Sequence, residues 1–352
     1  MNKKRLRYGI VGTGRIAQVY AQAFESCQTG QVVAVADARP DVAHAFTERL
    51  SGCRSYQSYE VMADEAELDA VLISTPPVTH EEIALRFLLS RVNVLCEKPL
   101  SISSASARRM LDAAERAGVM LTMASKFRYV EDVTRARSLV ASGVIGETIL
   151  LENSFASHVD MASRWNANAE ISGGGVLIDN GTHSVDLTRF FLGPLVNVQA
   201  VEAKRSQGLN VEETVRLLVK SGGGVLGAID LSWSLNKELD SYLSIYGSHG
   251  TIHVGWRQSK YHQLQGRDWV VFGAGYDKVQ AFRSQIDNFS LAINGEEPLR
   301  VTAADALASV EVIEAAYVSL RQKRWMDVVG PEVQIIGPAS DADFGAETRS
   351  IG

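Results

Sequence analysis

The chain has 352 residues, of which 46% are hydrophobic and 22% are charged, a composition typical of ordinary folded domains and long enough for two of them. Its formal net charge of -6 argues against nucleic acids and anionic membranes as partners, because both bind surfaces with a surplus of Lys and Arg. The three cysteines are widely spaced and lack a C-x-x-C pattern, so neither a disulfide framework nor a zinc site is expected.

The amino-terminal segment predicts no targeting signal, because Gly9, Gly12 and Arg15 interrupt its apolar residues. No later window reaches the length of a transmembrane helix. We therefore expect a cytoplasmic protein without a membrane partner.

Up to about Ala124, short apolar runs alternate with helical stretches, the pattern of a parallel sheet buried on both faces. Strands are predicted at residues 8–11, 32–36, 70–74, 93–96 and 120–124. The helix between the first two strands is expected to face the sheet with an apolar stripe of Ile16, Val19, Ala23, Phe24 and Cys27.

Beyond a connecting helix near residues 131–141, the pattern changes to longer strands with period-two alternation, which is typical of an antiparallel sheet. Strands are predicted at 214–221 and 225–234, joined by a glycine hairpin at 222–224, with another turn at 247–250. Two helices follow at about 278–293 and 302–320, and Thr302 with Asp305 predicts a capping box at the second.

A glycine motif follows the first strand directly, as G-x-G-x-x-A over residues 12–17. Gly12 suits the tight turn, and Gly14 lets a pyrophosphate approach the backbone at the start of a helix, where free N–H groups favour negative charge. Asp37 ends the second strand about 20 residues on, where a ribose-binding acid is expected. The sequence therefore predicts a Rossmann domain that binds NAD, while Arg39 keeps NADP open because its guanidinium could pair with a 2′-phosphate.

Polar side chains also follow two later strands of this sheet. The segment from Ser74 to His80 includes Pro76 and Pro77, and Lys98 follows the strand at 93–96. Open α/β sheets bind ligands at the carboxyl ends of their strands, so both segments are expected beside the cofactor.

Residues 173–186 begin with three glycines and continue as a predicted helix from about Val176. Asp179, His183 and Asp186 are four and three residues apart, so they share one face of that helix. Gly181 costs such a helix about 1 kcal/mol relative to Ala, which suggests that a group packs or binds close to its backbone. A metal site is not expected, because no second cluster of His or Cys accompanies these residues.

Together, these motifs resemble those of the Gfo/Idh/MocA family, which includes glucose-fructose oxidoreductase and inositol dehydrogenase. The resemblance covers most of the chain and rests on E-K-P at 97–99, on G-G-G followed by D-x-G-x-H-x-x-D at 173–186, and on the order of the two sheets. It implies an α/β plus α+β fold, with a Rossmann domain at 1–127 and an open, mainly antiparallel sheet domain for substrate binding and oligomerisation at 128–330. The tail at 331–352 carries no clear pattern.

The resemblance also implies the roles of the site residues. Lys98, Asp179 and His183 form the expected catalytic group, with Glu97 near the nicotinamide ribose. We expect His183 to act as general acid/base, Lys98 to orient the hydroxyl, and Asp179 to bind substrate and tune His183. The residues expected to hold the cofactor are Gly12, Gly14, Arg15, Ile16, Asp37, Arg39, Ser74, Thr75, Pro76, His80, Glu97 and Lys98.

Further substrate contacts are expected from Arg128 and Tyr129, which follow the last Rossmann strand, and from Trp165, which precedes the catalytic helix. An aromatic ring could lie against a sugar face, although a buried interface Trp explains Trp165 equally well.

The predicted activity is NAD(P)-dependent hydride transfer to or from a secondary alcohol of a sugar, sugar derivative or cyclitol. Two alternatives stay open: a redox-assisted glycosidase of the same fold, with Tyr129 as its extra acid or base, and a non-catalytic NAD-sensing regulator. Intact Lys98 and His183 argue against the regulator. The resemblance further implies a homodimer or homotetramer.

Overall fold

The computed structural model describes residues 5–266 and 268–328. Within these residues the amino-terminal sheet has six strands. They are β1 (Leu6–Val11), β2 (Gly30–Ala36), β3 (Arg54–Tyr56), β4 (Ala70–Ile73), β5 (Asn93–Glu97) and β6 (Leu121–Ala124). All pair in parallel in the order β3-β2-β1-β4-β5-β6. The strand order reverses between β1 and β4, and such a switch point opens a crevice at the carboxyl ends of the strands.

Helices connect these strands and cover the sheet. They are α1 (Arg15–Glu25), α2 (Pro40–Thr47), α3 (Tyr59–Glu65), α4 (His80–Leu89) and α5 (Ser104–Ala117), with a short 3-10 turn at Pro77–Thr79. The predicted stripe on α1 is partly wrong: Ile16 and Val19 are only half-buried, whereas Ala17, Tyr20 and Ala21 are buried. The buried face is turned because the Tyr20 ring packs edge-on against Phe282, 4.5 Å between centroids, from a helix far along the chain.

The second sheet has nine strands within the described residues. They are β7 (Thr148–Ala156), β8 (Leu195–Glu202), β9 (Thr214–Ser221), β10 (Leu226–Ser232), β11 (Ser241–Gly247), β12 (Gly250–Gly255), β13 (Ser259–Gln263), β14 (Val270–Gly273) and β15 (Met326–Asp327). Their order is β14-β13-β12-β11-β7-β10-β9-β8-β15, and all neighbours pair antiparallel except β7 with β10. The predicted fold class, a Rossmann domain followed by a mainly antiparallel sheet, is confirmed.

Five further helices belong to the carboxyl-terminal two thirds of the described chain. They are α6 (Glu131–Ala141), α7 (Ala169–Ser172), α8 (Val176–Leu192), α9 (Lys278–Ile293) and α10 (Ala303–Gln322), with 3-10 turns at Lys126–Tyr129 and Trp165–Ala167. The capping box of Thr302 and Asp305 is present at the start of α10. None of the helices in the described part of the chain combines the length and apolarity needed to span a bilayer.

The last two helices join the two sheets into one body. Phe282 and Phe289 of α9 lie in the same core as Tyr8 and Tyr20 of the amino-terminal sheet. Helix α10 contributes Leu307 to the other core of that sheet and further apolar residues to the core of the second sheet. The predicted boundary at residue 127 stays a prediction, and the predicted tail at 331–352 lies outside the described residues.

Candidate active site

A cavity of about 660 Å³ opens between the two sheets, at the carboxyl ends of β4, β5 and β6. Its wall includes the catalytic group expected from the sequence, Lys98, Asp179 and His183, together with Glu97. Parallel strands deliver their carboxyl ends to one edge of the sheet, which explains why segments far apart in sequence meet here.

Lys98 follows β5 and reaches helix α8. Its Nζ atom donates a hydrogen bond to the backbone carbonyl of Asp179 at 3.0 Å and another to the Asp179 carboxylate. An ammonium has three N–H groups, so one donor of Lys98 stays available to a ligand in the cavity. Lys98 and Asp179 are mostly buried, with side chains 16% and 20% exposed.

Helix α8 begins where a neighbouring loop meets the glycines at 173–175. The Glu212 carboxylate accepts hydrogen bonds from the backbone N–H groups of Gly175 and Leu177, which caps a helix whose own N-cap residue is a glycine. A Cβ atom at Gly175 would lie 2.2 Å from the Glu212 carbonyl oxygen, and one at Gly174 would lie 1.9 Å from the Tyr317 hydroxyl. The glycines therefore allow the close approach that fixes the start of α8.

The predicted close packing at Gly181 is present. A Cβ atom there would lie 3.1 Å from a methyl group of Leu231 and 3.3 Å from one of Ile313. Helix α8 is thus pressed between the second sheet and α10, which holds Asp179 and His183 in place on the cavity wall.

His183 lies deeper in the cavity, with its ring 5.1 Å from that of Phe127 in an edge-to-face contact. Its Nδ1 atom is buried, and no described residue forms a hydrogen bond with it. Burial, followed by the charges of Lys126 and Lys98, holds the pKa of His183 well below its ordinary value of 6.5. The imidazole is therefore unprotonated at neutral pH, the state that a general base requires.

The expected effect of Asp179 on His183 is not supported, because the Asp179 carboxylate binds Lys98 instead. Asp186, on the same helix, is directed to a different partner. Its carboxylate pairs with the Arg128 guanidinium through bonds of 2.6 and 2.9 Å. The side chains of Asp179, His183 and Asp186 therefore do not converge on one point. No cluster of metal-ligating residues forms in the described part of the chain.

Two of the expected substrate contacts are corrected by the structure. Arg128 is 4% exposed and is held by Asp186, by Asp305 and by the Arg300 carbonyl, and it forms no part of the cavity wall. Tyr129 is 2% exposed and donates its hydroxyl hydrogen to Asn288 at 3.1 Å. Both side chains turn away because the chain forms a 3-10 turn after β6 rather than continuing straight.

Trp165, the third expected contact, does lie on the cavity wall and is 44% exposed. The wall also contains residues that were not expected from the sequence, among them Lys126, Phe155 and Trp256. Lys126 follows β6 directly, so the rule that ligands bind at carboxyl strand ends would have found it. Phe155 and Trp256 come from the second sheet, where no comparable rule applies.

The glycine loop after β1 fits a dinucleotide. Gly12 has a φ of +87°, and a Cβ atom there would lie 2.9 Å from the Ser74 carbonyl oxygen. At Gly14, by contrast, no atom lies within 4 Å of a Cβ position, which leaves an open cradle at the start of α1. No side chain caps this helix end, so its N–H groups, including those near Arg15 and Ile16, are free to bind a diphosphate.

Asp37 lies at the end of β2, as expected of a ribose-binding acid. Its carboxylate accepts hydrogen bonds from the backbone N–H groups of Thr13 at 2.8 Å and Arg39 at 3.0 Å. Burial alone would raise the pKa of Asp37, but these hydrogen bonds outweigh it and lower the pKa below its ordinary value. The carboxylate is therefore charged at neutral pH.

The segment after β4 divides between the cavity and the interior. Ser74 and Thr75 lie on the cavity wall, whereas Pro76 does not and the neighbouring Pro77 does. His80 was expected at the cofactor but is fully buried away from the cavity. Its two ring nitrogens lie 2.9 Å from the backbone carbonyl oxygens of Thr75 and Pro99, so it ties together the two loops that carry the site.

Comparison with known proteins agrees with this geometry. Residues 6–125 match the model of an oxidoreductase family with an NAD-binding Rossmann fold, and residues 133–253 match the GFO/IDH/MocA C-terminal domain. The trans-1,2-dihydrobenzene-1,2-diol dehydrogenase of Mus musculus is 30% identical over 71% of this chain and 74% of its own length. The inositol 2-dehydrogenase of Rhizobium meliloti (strain 1021) is 26% identical over 92% of this chain and 99% of its own length.

The fold is shared with solved structures as well. An oxidoreductase from Agrobacterium radiobacter, solved in complex with NAD+, L-tartaric acid and magnesium, is similar with a TM-score of 0.85 at 20% identity. The similarity covers 92% of this chain and 99% of that one.

Proposed function

Since this chain belongs to the Gfo/Idh/MocA family of NAD-binding oxidoreductases, we propose that it oxidises a secondary alcohol of a sugar, sugar derivative or cyclitol. The observation that carries the proposal is the pairing on one cavity wall of a lysine with a free donor, Lys98, and an unprotonated imidazole, His183. A base and a cation beside one hydroxyl are what this oxidation requires.

Each residue of the site has its own proposed role. The His183 imidazole takes the hydroxyl proton, and the remaining Lys98 N–H group binds the oxygen on which negative charge develops. The Asp179 carboxylate holds Lys98 in position and accepts a hydrogen bond from a neighbouring hydroxyl of the polyol. NAD, when bound, accepts the hydride from the carbon that bears the oxidised hydroxyl.

The residues that we assign to the cofactor lie at the glycine loop after β1 and at the end of β2. The open cradle at Gly14 and the uncapped start of α1 suit a diphosphate, and the Asp37 carboxylate suits the two hydroxyls of a ribose. Glu97, also on the wall, is the residue that we assign to the nicotinamide ribose. Aromatic rings of Trp165 and Trp256 give the cavity apolar surfaces of the kind that pack against the faces of sugar rings.

The open face of the second sheet is the surface proposed for oligomerisation. It exposes apolar side chains that include Val201 of β8, Leu226 of β10 and Val271 of β14, at 60%, 39% and 54%. Light scattering of the purified protein checks this proposal, for which a monomer at micromolar concentration is the contrary result.

The function is tested by following absorbance of the reduced cofactor with a panel of alcohols. Free sugars, sugar phosphates, sugar acids and inositols are each offered with NAD and with NADP. We expect turnover with at least one cyclic polyol, and loss of that turnover in His183→Ala while NAD still binds. Binding of NAD without turnover of any alcohol would favour the non-catalytic regulator instead.

A further inference from the structure

A second lysine, Lys126, lies on the wall of the same cavity. It is the first residue of the 3-10 turn that follows β6, so the amino-terminal sheet delivers it to the crevice as it delivers Lys98. Lys126 is partly buried, and its ammonium lies 5.3 Å from the ring centre of Phe127 and 5.6 Å from that of Phe282. The two lysines thus share one cavity with His183.

The two ammonium groups differ in their partners. Lys98 is bound to the Asp179 carboxylate, whereas no carboxylate of the described residues lies within 4.0 Å of the Lys126 Nζ atom. Aromatic faces attract a cation, but each such contact contributes only about 0.5–2 kcal/mol. Burying an ammonium without an anion is more costly than that, so the cavity has a cationic position that lacks a partner of its own.

The Glu97 carboxylate, on the same wall as Lys126, already has other partners. The Glu97 carboxylate accepts a hydrogen bond from the Tyr20 hydroxyl at 2.8 Å and another from the Lys98 backbone N–H at 3.1 Å. Burial lowers the pKa of Lys126 to about 8, with Glu97 opposing that effect and Lys98 adding to it. At neutral pH the ammonium therefore remains mostly charged.

The charges of the wall balance only if a ligand supplies an anion. On the wall, Lys98 and Lys126 offset Glu97 and Asp179, and Arg164 offsets Glu238. The remaining wall cation, Lys237, is paired with Asp230, and the nicotinamide ring of an oxidised cofactor adds one further positive charge. The cofactor's diphosphate belongs at the glycine loop, whose Gly12 and Gly14 are not part of this wall. A substrate that carries an anion would supply that charge.

We propose that Lys126 is a specificity-determining residue that binds a carboxylate of the substrate, so that the enzyme acts on sugar acids or cyclitol acids in preference to neutral polyols. The proposal rests on the proposed function. It adds a second recognition point to the site: Lys98 and His183 contact the hydroxyl that reacts, and Lys126 contacts the acid group elsewhere on the ring.

Matched pairs of compounds test this specificity. Glucuronate is compared with glucose, galacturonate with galactose, and quinate with myo-inositol, in the unmodified enzyme and in Lys126→Met. We expect the better substrate to be an acid, and Lys126→Met to lower kcat/KM for that acid by about 10- to 100-fold, the usual loss for one hydrogen bond to a charged group. The neutral partner of the pair should change little.

The control variant is Lys260→Met. Lys260 also lies over an aromatic ring, 4.9 Å from the centre of Trp269, but it is not part of this cavity wall. Its removal should leave the preference for acids unchanged, and the thermal midpoint of both variants shows whether each is folded.

Calorimetric titration with each compound is carried out on NAD-bound His183→Ala, with and without Lys126→Met, which keeps the positive nicotinamide ring and gives a readout independent of normal turnover. We expect acids to bind more tightly than their neutral partners, with the difference lost in Lys126→Met. Equal binding of acid and neutral compounds, no binding of any acid, or an equal loss for both in Lys126→Met would overturn the inference. If no alcohol is oxidised but acids still bind through Lys126, the proposed function fails while the anion site stands.

Discussion

Helix α8 carries two aspartates seven residues apart, and each pairs with a cation delivered by the amino-terminal sheet. Asp179 binds Lys98, which follows β5, and Asp186 binds Arg128, which follows β6. The two pairs use the same helix, the same type of acid and equivalent strand ends. They nevertheless differ in what surrounds them.

The Lys98–Asp179 pair borders the cavity, whereas the Arg128–Asp186 pair is sealed, with side chains 4% and 1% exposed. Arg128 also donates to Asp305 and to the Arg300 carbonyl, so four of its five N–H groups bind protein acceptors. Burial raises the pKa of Asp186, and the guanidinium opposes that rise. One ion pair therefore borders a cavity that a ligand can enter, and the other joins α8 to the turn after β6 in the interior.

The largest effect on activity is expected from a substitution of His183, which lies on the cavity wall. His183→Ala should lower kcat by about two to four orders of magnitude, the usual loss of general acid/base help, with NAD binding nearly intact. Steady-state kinetics and NAD titration measure the two quantities. A variant with normal turnover would show that another residue is the base.

Lys98→Met keeps the length of the side chain but removes the charge from the open pair. We expect kcat to fall by about 10²–10³-fold with a smaller change in KM, because the ammonium acts mainly on the charge that develops in the transition state. Lys98→Arg should rescue poorly, since a planar guanidinium cannot replace a compact ammonium. Unchanged kcat with weaker substrate binding would reduce Lys98 to a substrate anchor.

Substitutions in the buried Arg128–Asp186 pair should change the free energy of unfolding rather than the turnover of substrate. Arg128→Met leaves a buried carboxylate without its cation, which should lower the free energy of unfolding by about 3–5 kcal/mol, measured by urea denaturation. Arg128→Met combined with Asp186→Leu should recover part of that loss, because the orphaned charge is then removed as well. Full stability in Arg128→Met alone would show that the buried pair does not stabilise the fold.

A third carboxylate–cation pair, Asp37 with Arg39, extends the comparison to the cofactor. Here the acid is buried and the Arg39 side chain is 64% exposed. The unmodified protein should bind NAD more tightly than NADP, and Asp37→Ser should reduce or reverse that preference by about tenfold, equivalent to 1.4 kcal/mol, because the repulsion of a 2′-phosphate is removed. Titration with both nucleotides decides it, and tighter NADP binding by the unmodified protein would contradict the assignment.

The smallest expected effect is a shift in the pH dependence of kcat. Burial and the charges of Lys126 and Lys98 hold the pKa of His183 below 6.5, so the imidazole stays unprotonated as the pH falls through that value. The acid limb of the kcat profile for alcohol oxidation should therefore lie below pH 6.5. In Lys126→Met, one of the two lysine charges is removed and the limb should move upward; an unchanged limb would assign the low pKa to burial and Lys98.

Local sequence patterns were enough to predict most of the strands and helices that carry the expected catalytic group. The glycine loop, the strand at 93–96 before Lys98, and the spacing of Asp179 and His183 are local patterns, and the structure confirms the strand and helix that they predict. Strand ends and helix faces are set by short-range periodicity, so a single chain reveals them without knowledge of its partners.

Which polar residues face the cavity depends on packing between segments that are distant in the sequence. Arg128 and Lys126 are two residues apart in the same turn, yet Arg128 is sealed by Asp186 and Asp305 while Lys126 lies on the cavity wall. Those acids come from α8 and α10, and Phe282 beside Lys126 comes from α9. Whether a cation is neutralised or left for a ligand depends on groups that arrive from more than 50 residues away, and no local pattern carries that information.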